Sequence, residues 1–263
     1  GPERPRVLGE VDLFAARQLV HPKAIYLHDS QQYHVDELDW EERKAMVRPV
    51  DSDYYTQAEL AVTLKPLDVF DHAPRAAGSR QHGEVMISSI ATIFKKLKLD
   101  THENVGWGSI DLPEMELHTT AWWVALDKTA VADWRREELD AALIGAGRAL
   151  QTVASVLLMA DPHDLGMVAQ VQSPHAEQPV IYLWEAAPGG VGMSPRLFER
   201  TEELVAGALD LVVGCDCEVG CPACVGPRGE SRLDGRALSE RLLRLLTASE
   251  PVERKGQPAK VAA

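Results

Sequence analysis

Apolar and polar residues alternate along much of the first half of the chain. A period of two is typical of strands that bury one face, and turn-forming residues separate the alternating stretches. The pattern predicts strands at 24–28, 33–35, 43–50, 57–64, 84–99 and 118–126. Residues 84–99 fit two hairpins or one bent strand. Residues 71–83, rich in Pro, Gly and Arg, are predicted to form a loop.

The spacing of apolar residues changes in the second half of the chain. Apolar residues recur every three or four positions over 137–159, which predicts a long helix. Gly145 and Gly147 lie inside it, and a closely packed neighbour is the ordinary explanation. Strands are predicted at 166–172 and 179–185.

Two further helices are predicted near the end of the chain. Ser194 is a plausible N-cap and Pro195 suits the first helical position, so one helix is expected to run to Val213. Asp234 is expected to cap a last helix over 235–246.

The elements together predict an α+β fold. Residues 3–126 form a β-rich, mostly antiparallel region, and residues 127–247 form a mainly helical region closed by a four-cysteine zinc knuckle. Residues 248–263 are a polar tail. Residues 1–2, Gly-Pro, resemble the scar of a tag protease, so the chain is expected to be a piece of a longer protein.

Composition narrows the functional classes. The chain has 263 residues, 45% of them hydrophobic, which suffices for a real core. Its net charge of -13 disfavours a protein that holds nucleic acid by bulk electrostatics, but allows a local basic groove. No signal peptide or apolar run of membrane-spanning length is evident, so a cytoplasmic location without membrane contact is expected.

All four cysteines of the chain lie within ten residues. Cys215, Cys217, Cys221 and Cys224 follow the spacing C-x-C-x3-C-x2-C. Four thiolates suit a tetrahedral zinc ion, or less often an iron–sulfur cluster. Two disulfides are the alternative, but one residue between Cys215 and Cys217 strains a bridge. With every ligand position filled by sulfur, the zinc is expected to be structural.

A glycine-rich turn follows the strand at 179–185. Gly189, Gly190 and Gly192 precede a helix, an arrangement whose backbone N–H groups can hold an anion such as a DNA phosphate. The turn matches neither the phosphate-binding P-loop nor the dinucleotide fingerprint. A tight turn that needs positive φ is the alternative explanation.

Two groups of basic residues are candidate DNA contacts, although a solvated surface is the alternative for both. One group, Arg228, Arg232 and Arg236, follows the cysteines. The other contains Lys95 and Lys96, with Lys98, Arg75 and Arg80 as further local cations.

Aromatic pairs offer a second route to nucleic acid. Tyr54-Tyr55 and Trp122-Trp123 could stack on bases, although one member of each pair should point into the core.

No catalytic arrangement is evident in the sequence. Asp161, Asp164 and Glu185 are not interpreted as an acid/base set; Asp164 is interpreted as a loop cap and Glu185 as a turn residue. The chain has no Walker lysine and no metalloprotease-type histidine spacing, so it is not expected to hydrolyse ATP by itself.

Several motifs resemble one known family. These are Ile181-Tyr182-Leu183-Trp184-Glu185, the turn at 188–192, and the cysteine pattern with Pro222, with softer matches such as Asp53-Tyr54-Tyr55-Thr56 and Thr119-Thr120-Ala121-Trp122-Trp123-Val124. Together they resemble the C-terminal zinc-binding domain of the mitomycin-repair-factor-A type of DEAD/DEAH-box helicases, across nearly the whole chain.

The resemblance implies a part of an ATP-dependent superfamily-2 helicase that moves 3′ to 5′ on single-stranded DNA in DNA repair. The motor domains, with their ATP and Mg²⁺, would precede this chain, and this domain would guide or clamp the strand against them. Trp184-Glu185 departs from the Tyr-Asp pair expected before the glycine turn, which leaves the role of that carboxylate open.

Two other functions stay open on sequence alone. The domain type also resembles parts of phage-defence subunits, so a protein–protein module that docks a helicase is the first alternative. An independent zinc or iron–sulfur enzyme is the second.

Overall fold

A short helix and a three-stranded antiparallel sheet begin the chain. The computed structural model describes residues 6–173, 177–226 and 233–247. The first elements are α1 (Leu13–Leu19), β1 (Ile25–His28), β2 (Gln31–Asp39) and β3 (Lys44–Pro49). The sheet order is β1-β2-β3. These elements bury a small apolar cluster of Ala16, Val20, Ala24 and Val35.

Two long strands and a third, short one follow. They are β4 (Tyr54–Arg75), β5 (Gly78–Lys98) and β6 (Asn104–Ser109). The predicted loop at 71–83 is therefore wrong, because β4 and β5 are joined by two residues only. Residues 67–72 are exposed, and β4 carries Pro66 and Pro74, because it is an edge strand. β5 is one long strand, and β6 was not predicted.

The chain divides into two compact units that both use β4 and β5. The first contains residues 1–63 and 88–116, and the second contains residues 64–87 and 117–263. This division differs from the expected one after residue 126, because half of each long strand belongs to the second unit.

Arg17 of α1 is buried inside the first unit. Its guanidinium donates to the Ser89 carbonyl at 2.6 Å and lies 5.2 Å from the centroid of the Trp40 ring. Burial lowers the pKa of Arg17. The cation is therefore a structural group that ties α1 to β5, and no feature of the sequence indicated this role.

Among its described residues, the second unit combines a sheet with four α-helices. Its elements are β7 (Met115–Leu126), α2 (Arg136–Leu158), β8 (Leu165–Gln170), β9 (Val180–Glu185), α3 (Met193–Glu199), α4 (Thr201–Val213) and α5 (Gly235–Thr247). The strand order is β4-β5-β7-β9-β8. β9 pairs antiparallel with both β7 and β8, and all six of its residues are buried. The α+β prediction is confirmed.

The helix predicted from Ser194 to Val213 is broken. It begins at Met193, after Gly192 at φ 86°, and divides into α3 and α4 at Arg200. The Thr201 hydroxyl satisfies the Leu197 carbonyl at 2.9 Å. The break is stabilised by a buried side chain, because the indole N–H of Trp122 donates to Thr201 at 3.0 Å.

Helix α2 lies at the centre of the second unit's core. A Cβ at Gly145 would lie 2.1 Å from the Ser239 hydroxyl of α5, and one at Gly147 would lie 2.8 Å from the Met167 sulfur of β8. The close packing expected at both glycines is confirmed.

Helix α2 also corrects the expectation that the chain has no apolar run of membrane-spanning length. Among the described residues it is long and apolar enough to cross a bilayer, but half of its most apolar window is buried inside the unit. Its hydrophobicity is accounted for by this packing.

Candidate metal centre

The cysteine knuckle, residues 215–224, begins where α4 ends. Gly214 follows the last helical residue, and its N–H donates to the Asp210 carbonyl at 2.8 Å. Gly220 adopts φ 136°, and a Cβ there would lie 2.9 Å from the Gly226 carbonyl oxygen. The Cys221 carbonyl accepts from the N–H groups of Cys224 and Gly226, which closes the turn through Pro222. The knuckle therefore needs glycine at 220.

The turn brings all four sulfurs together. They lie within 4.8 Å of one another. The Cys215–Cys221, Cys217–Cys224 and Cys221–Cys224 sulfur separations are 3.6, 3.5 and 3.6 Å. Ligands of a tetrahedral Zn²⁺, each about 2.3 Å from the ion, would lie about 3.8 Å apart, whereas disulfide sulfurs lie about 2.05 Å apart. The cysteines are free thiols whose spacing fits one zinc ion and excludes the disulfide alternative in this structure.

The pKa values of Cys215 and Cys217 are shifted in opposite directions. The backbone N–H of Cys217 is the main cause that lowers the pKa of Cys215 to about 7. Desolvation raises the pKa of Cys217 to about 12, and neighbouring sulfurs add to the rise. A bound dication would favour the thiolate form of all four, because coordination deprotonates a thiol.

Arg236 fastens the knuckle to two helices. Its guanidinium donates to the carbonyls of Val212 at 3.0 Å, Val213 at 3.1 Å and Cys217 at 3.0 Å. Asp234 caps α5 as predicted, accepting from the Ala237 N–H at 3.0 Å. The end of α4 and the start of α5 are thus held together beside the sulfurs. Arg236 as a DNA contact stays a prediction, and its donors are engaged with the protein.

The knuckle is also part of the hydrophobic core. Cys224 is only 1% exposed, and it packs with Val225 into the cluster that α2, α4 and α5 build. A metal that orders these residues would therefore stabilise the helical core as well as the loop.

The glycine-rich turn at 188–192 surrounds the carboxylate of Glu185, a side chain of the protein itself. The Glu185 side chain is buried at the end of β9. Its carboxylate accepts from the N–H of Val191 at 2.5 Å, the N–H of Ser194 at 2.7 Å and the hydroxyl of Thr120 at 2.7 Å. Burial acts to raise the pKa of Glu185, but these donors together with the Met193 N–H outweigh it and lower the pKa.

Glu185 is therefore not a simple turn residue. The backbone donors that were expected to hold a phosphate are occupied by this carboxylate. Gly189, Gly190 and Gly192 have φ values of 74°, 73° and 86°, so the alternative of a turn that needs positive φ agrees with the structure. The feature of the sequence that could have indicated this arrangement is an acidic residue at the end of a strand, directly before a glycine-rich turn into a helix.

Gly190 has a packing role of its own. A Cβ at this position would lie 2.3 Å from the Thr120 hydroxyl oxygen, which bonds to Glu185. At Gly189 and Gly192 nothing lies within 4 Å of the added carbon. A Gly190→Ala variant would therefore disturb the turn itself and is a poor probe of DNA binding.

The other predicted DNA contacts are scattered. Lys95 pairs with Glu59 at 2.6 Å in the first unit, and Lys96 lies over the Tyr54 ring at 5.2 Å. Arg75 is held by Glu202 and by the Leu246 carbonyl in the second unit. Lys95 and Lys96 thus belong to the first unit, and Arg236 belongs to the second. The predicted contacts Arg228 and Arg232 lie outside the described residues.

Both tryptophans of the Trp122-Trp123 pair are buried, so this pair does not offer the stacking face that the sequence allowed. Trp122 lies in the main core and Trp123 packs on Tyr182 with ring centroids 5.6 Å apart. Asp161 accepts from the N–H of His163 at 2.8 Å, which lowers its pKa together with the His163 ring, and Asp164 bonds to the Asp161 N–H at 3.2 Å. These carboxylates cap a helical turn, as predicted for Asp164.

The fold and the four sulfurs define a zinc-binding α+β domain. Residues 146–225 match the family model described as the MrfA Zn-binding domain. The resemblance noted from the sequence is confirmed, because this part of the chain is similar to that zinc-binding domain.

Two of the similar proteins are described as ATP-dependent helicases. An ATP-dependent helicase of Bacillus subtilis, YprA, is 41% identical over 241 residues, which are 92% of this chain and 32% of the relative. The ATP-dependent helicase HRQ1 of Saccharomyces cerevisiae is 20% identical over 241 residues, covering 83% of this chain and 22% of that protein. The chain thus spans a third or less of the length of these relatives.

Two solved structures of a helicase are also similar to this chain. The DUF1998 helicase MrfA bound to DNA matches with a TM-score of 0.65 and 40% identity, over 91% of this chain and 32% of that one. The same helicase described without DNA gives a TM-score of 0.67 and 34% identity, over 92% and 32%.

Proposed function

We propose that this chain is the accessory zinc-binding region of an ATP-dependent DNA-repair helicase that moves 3′ to 5′. It guides or clamps single-stranded DNA while motor domains elsewhere in the same parent chain translocate. The motor domains supply the ATP and Mg²⁺ chemistry, so this chain alone does not hydrolyse ATP. The proposal places the parent helicase in the cytoplasm.

One observation carries the proposal. The four sulfurs that fit a zinc ion lie inside the segment that matches the MrfA zinc-binding domain, and a solved relative with 40% identity holds DNA. The match to that relative covers 91% of this chain, so it includes both units.

Zinc has a structural role in this proposal. Cys215, Cys217, Cys221 and Cys224 would hold the ion, and it would supply a rigid crosslink between the end of α4 and the core. Four sulfur ligands leave no coordination position for a catalytic water. The proposal therefore assigns no reaction step to the metal.

A binding experiment tests the DNA part of the proposal. Fluorescence anisotropy measures the affinity for a labelled single strand of about 16 nucleotides. It is compared with the affinity for a hairpin whose duplex stem contains the same sequence. Tighter binding of the single strand, weakening as salt rises, is expected. Equal affinity for both forms, or no binding of either at low salt, contradicts a role in holding single-stranded DNA.

A protein-docking module is the second candidate. Val156 and Met159 at the end of α2 are 75% and 95% exposed, beside a shallow cleft of about 380 Å³ lined by Gln151, Thr152 and Pro162 among others. A Val156→Ser/Met159→Ser variant separates the candidates. Unchanged DNA affinity together with lost binding to a helicase motor subunit would favour docking.

A further inference from the structure

In the first unit, strands β4, β5 and β6 have one face that is open to solvent, and this face carries an exposed indole ring. Trp107 on β6 is 55% exposed, although tryptophan is normally well buried. It lies directly opposite Lys95 of β5 in the antiparallel register, and the Lys95 ammonium lies 5.1 Å from the ring centroid. The ring and the cation therefore form a pair on the sheet surface.

The same face continues with further apolar and aromatic groups. Ile93 and Val105 are 41% and 50% exposed. On β4, Tyr55 lies four residues before Glu59, which pairs with Lys95, so strand alternation places both on this face. The Tyr55 hydroxyl bonds to the ring of His102 at 3.2 Å, which gives a second aromatic group beside a basic ring.

The core of this unit does not need these groups. Phe94 points to the opposite face, where it is buried with Ile110 and Leu112. The Trp107 face is thus the solvent side of a strand pair whose other side is already packed. Exposed contiguous apolar surface of this kind commonly marks a binding site.

The chemistry of the face favours nucleic acid over protein. A flat ring next to a cation suits a nucleotide, because a base can stack on the ring while the cation meets its phosphate. Lysine is depleted in protein–protein interfaces relative to the rest of the surface. Lys95 supplies a cation on this face of a chain whose net charge is -13, whereas its neighbour Lys96 points to the other side of β5 and lies over the Tyr54 ring.

We propose that Trp107, with Lys95 beside it, is a stacking platform for a base of single-stranded DNA on the open sheet face of the first unit. The inference rests on the proposed DNA-holding function and names where a base is held. Glu59 holds the Lys95 ammonium at 2.6 Å, and a DNA phosphate would compete with this carboxylate for the cation.

The test separates stacking from charge and from protein docking. The full chain is titrated onto a fluorescein-labelled thymidine strand of about 12 nucleotides, and onto an abasic strand of the same length that keeps every phosphate but has no bases. Trp107→Phe keeps a ring that can stack, and Trp107→Leu keeps apolar area without a ring. Val69→Ala, at an exposed position of β4 in the second unit, is the control. Circular dichroism checks that each variant is folded.

The platform predicts that the wild type binds the thymidine strand about 5- to 150-fold more tightly than the abasic strand. Trp107→Leu should lose most of this preference, whereas Trp107→Phe should keep most of it and Val69→Ala should leave it unchanged. Equal affinity of the wild type for both strands, or an unchanged preference in Trp107→Leu, overturns the platform but leaves DNA holding in place. No binding of either strand by the wild type overturns both the platform and the proposed function.

Discussion

Replacing Glu185 by glutamine changes one oxygen of a fully surrounded carboxylate into an amide donor. Two donors, the Ser194 N–H and the Thr120 hydroxyl, meet one oxygen, and the Val191 N–H meets the other. The amide oxygen can satisfy only one side, so the new NH₂ group must face a donor. A neutral group also loses the attraction of the helix N-terminus for negative charge.

The expected cost follows from these contacts. A buried donor left unpaired costs about 1–3 kcal/mol, and a hydrogen bond to a charged group contributes about 1.5–3 kcal/mol. Because the amide oxygen keeps part of the network, we expect Glu185→Gln to lower the free energy of unfolding of the second unit by about 2–3 kcal/mol.

Urea denaturation followed by tryptophan fluorescence measures this loss, because Trp122 and Trp184 are buried in the second unit. The midpoint should fall without a change in the slope. Glu199→Gln on the exposed end of α3 is the matched control and should change the midpoint little. A loss under about 0.5 kcal/mol in Glu185→Gln, within the range of ordinary surface substitutions, would refute the view that this carboxylate organises the turn.

The pH dependence has a defined sign. The pKa of Glu185 is lowered by folding, so its stabilising effect is present above the unfolded pKa of about 4.3 and is lost as pH falls through the folded pKa. The stability difference between wild type and Glu185→Gln should stay constant from pH 7 to about pH 5, and should shrink only below about pH 4. A difference that disappears by pH 6 would show that another group is responsible.

Two further substitutions test the packing around the metal centre. Gly145→Ala should lower stability by about 1–3 kcal/mol in thermal melts, because its methyl group meets Ser239. Gly106→Ala should have a much smaller effect, because the atom nearest to its added methyl group lies 3.7 Å away. Equal melting shifts in the two variants would contradict the α2–α5 contact. Arg236→Ala should speed zinc loss to a chelator at least several-fold, because three hydrogen bonds to carbonyl groups at the knuckle are lost. Arg244→Ala, on the exposed side of α5, should not change the rate. A colorimetric zinc dye measures the rate of release, and identical rates in the two variants would contradict the role of Arg236 in holding the knuckle.

The knuckle was predictable because its information is local. The cysteines lie within ten residues, and the glycines and the proline between them permit the turn. The helix over 137–159 and the strand over 179–185 were predictable for a similar reason, because their apolar patterns are long or unbroken.

The environment of Glu185 was not predictable in the same way. Its partner Thr120 lies 65 residues earlier in the chain, and only the pairing of β7 with β9 brings the two together. The Trp122-Trp123 pair was misjudged because β7 lies between two other strands and both of its faces are covered.

Edge position explains the other failures. The exposed part of β4 has the proline and polar composition of a loop, since an edge strand that faces solvent needs no apolar alternation. β6 is short and contains two glycines, so propensity argues against a strand there, whereas pairing with β5 stabilises it.

The zinc content of the purified chain tests the central claim most directly. Elemental mass spectrometry gives the metal, and thiol titration before and after chelation gives the state of the cysteines. One zinc per chain is predicted, with four thiols that react only after the metal is removed, and a Cys217→Ser/Cys224→Ser variant should lose the metal. Iron in place of zinc, or no metal together with oxidised thiols, would contradict the account.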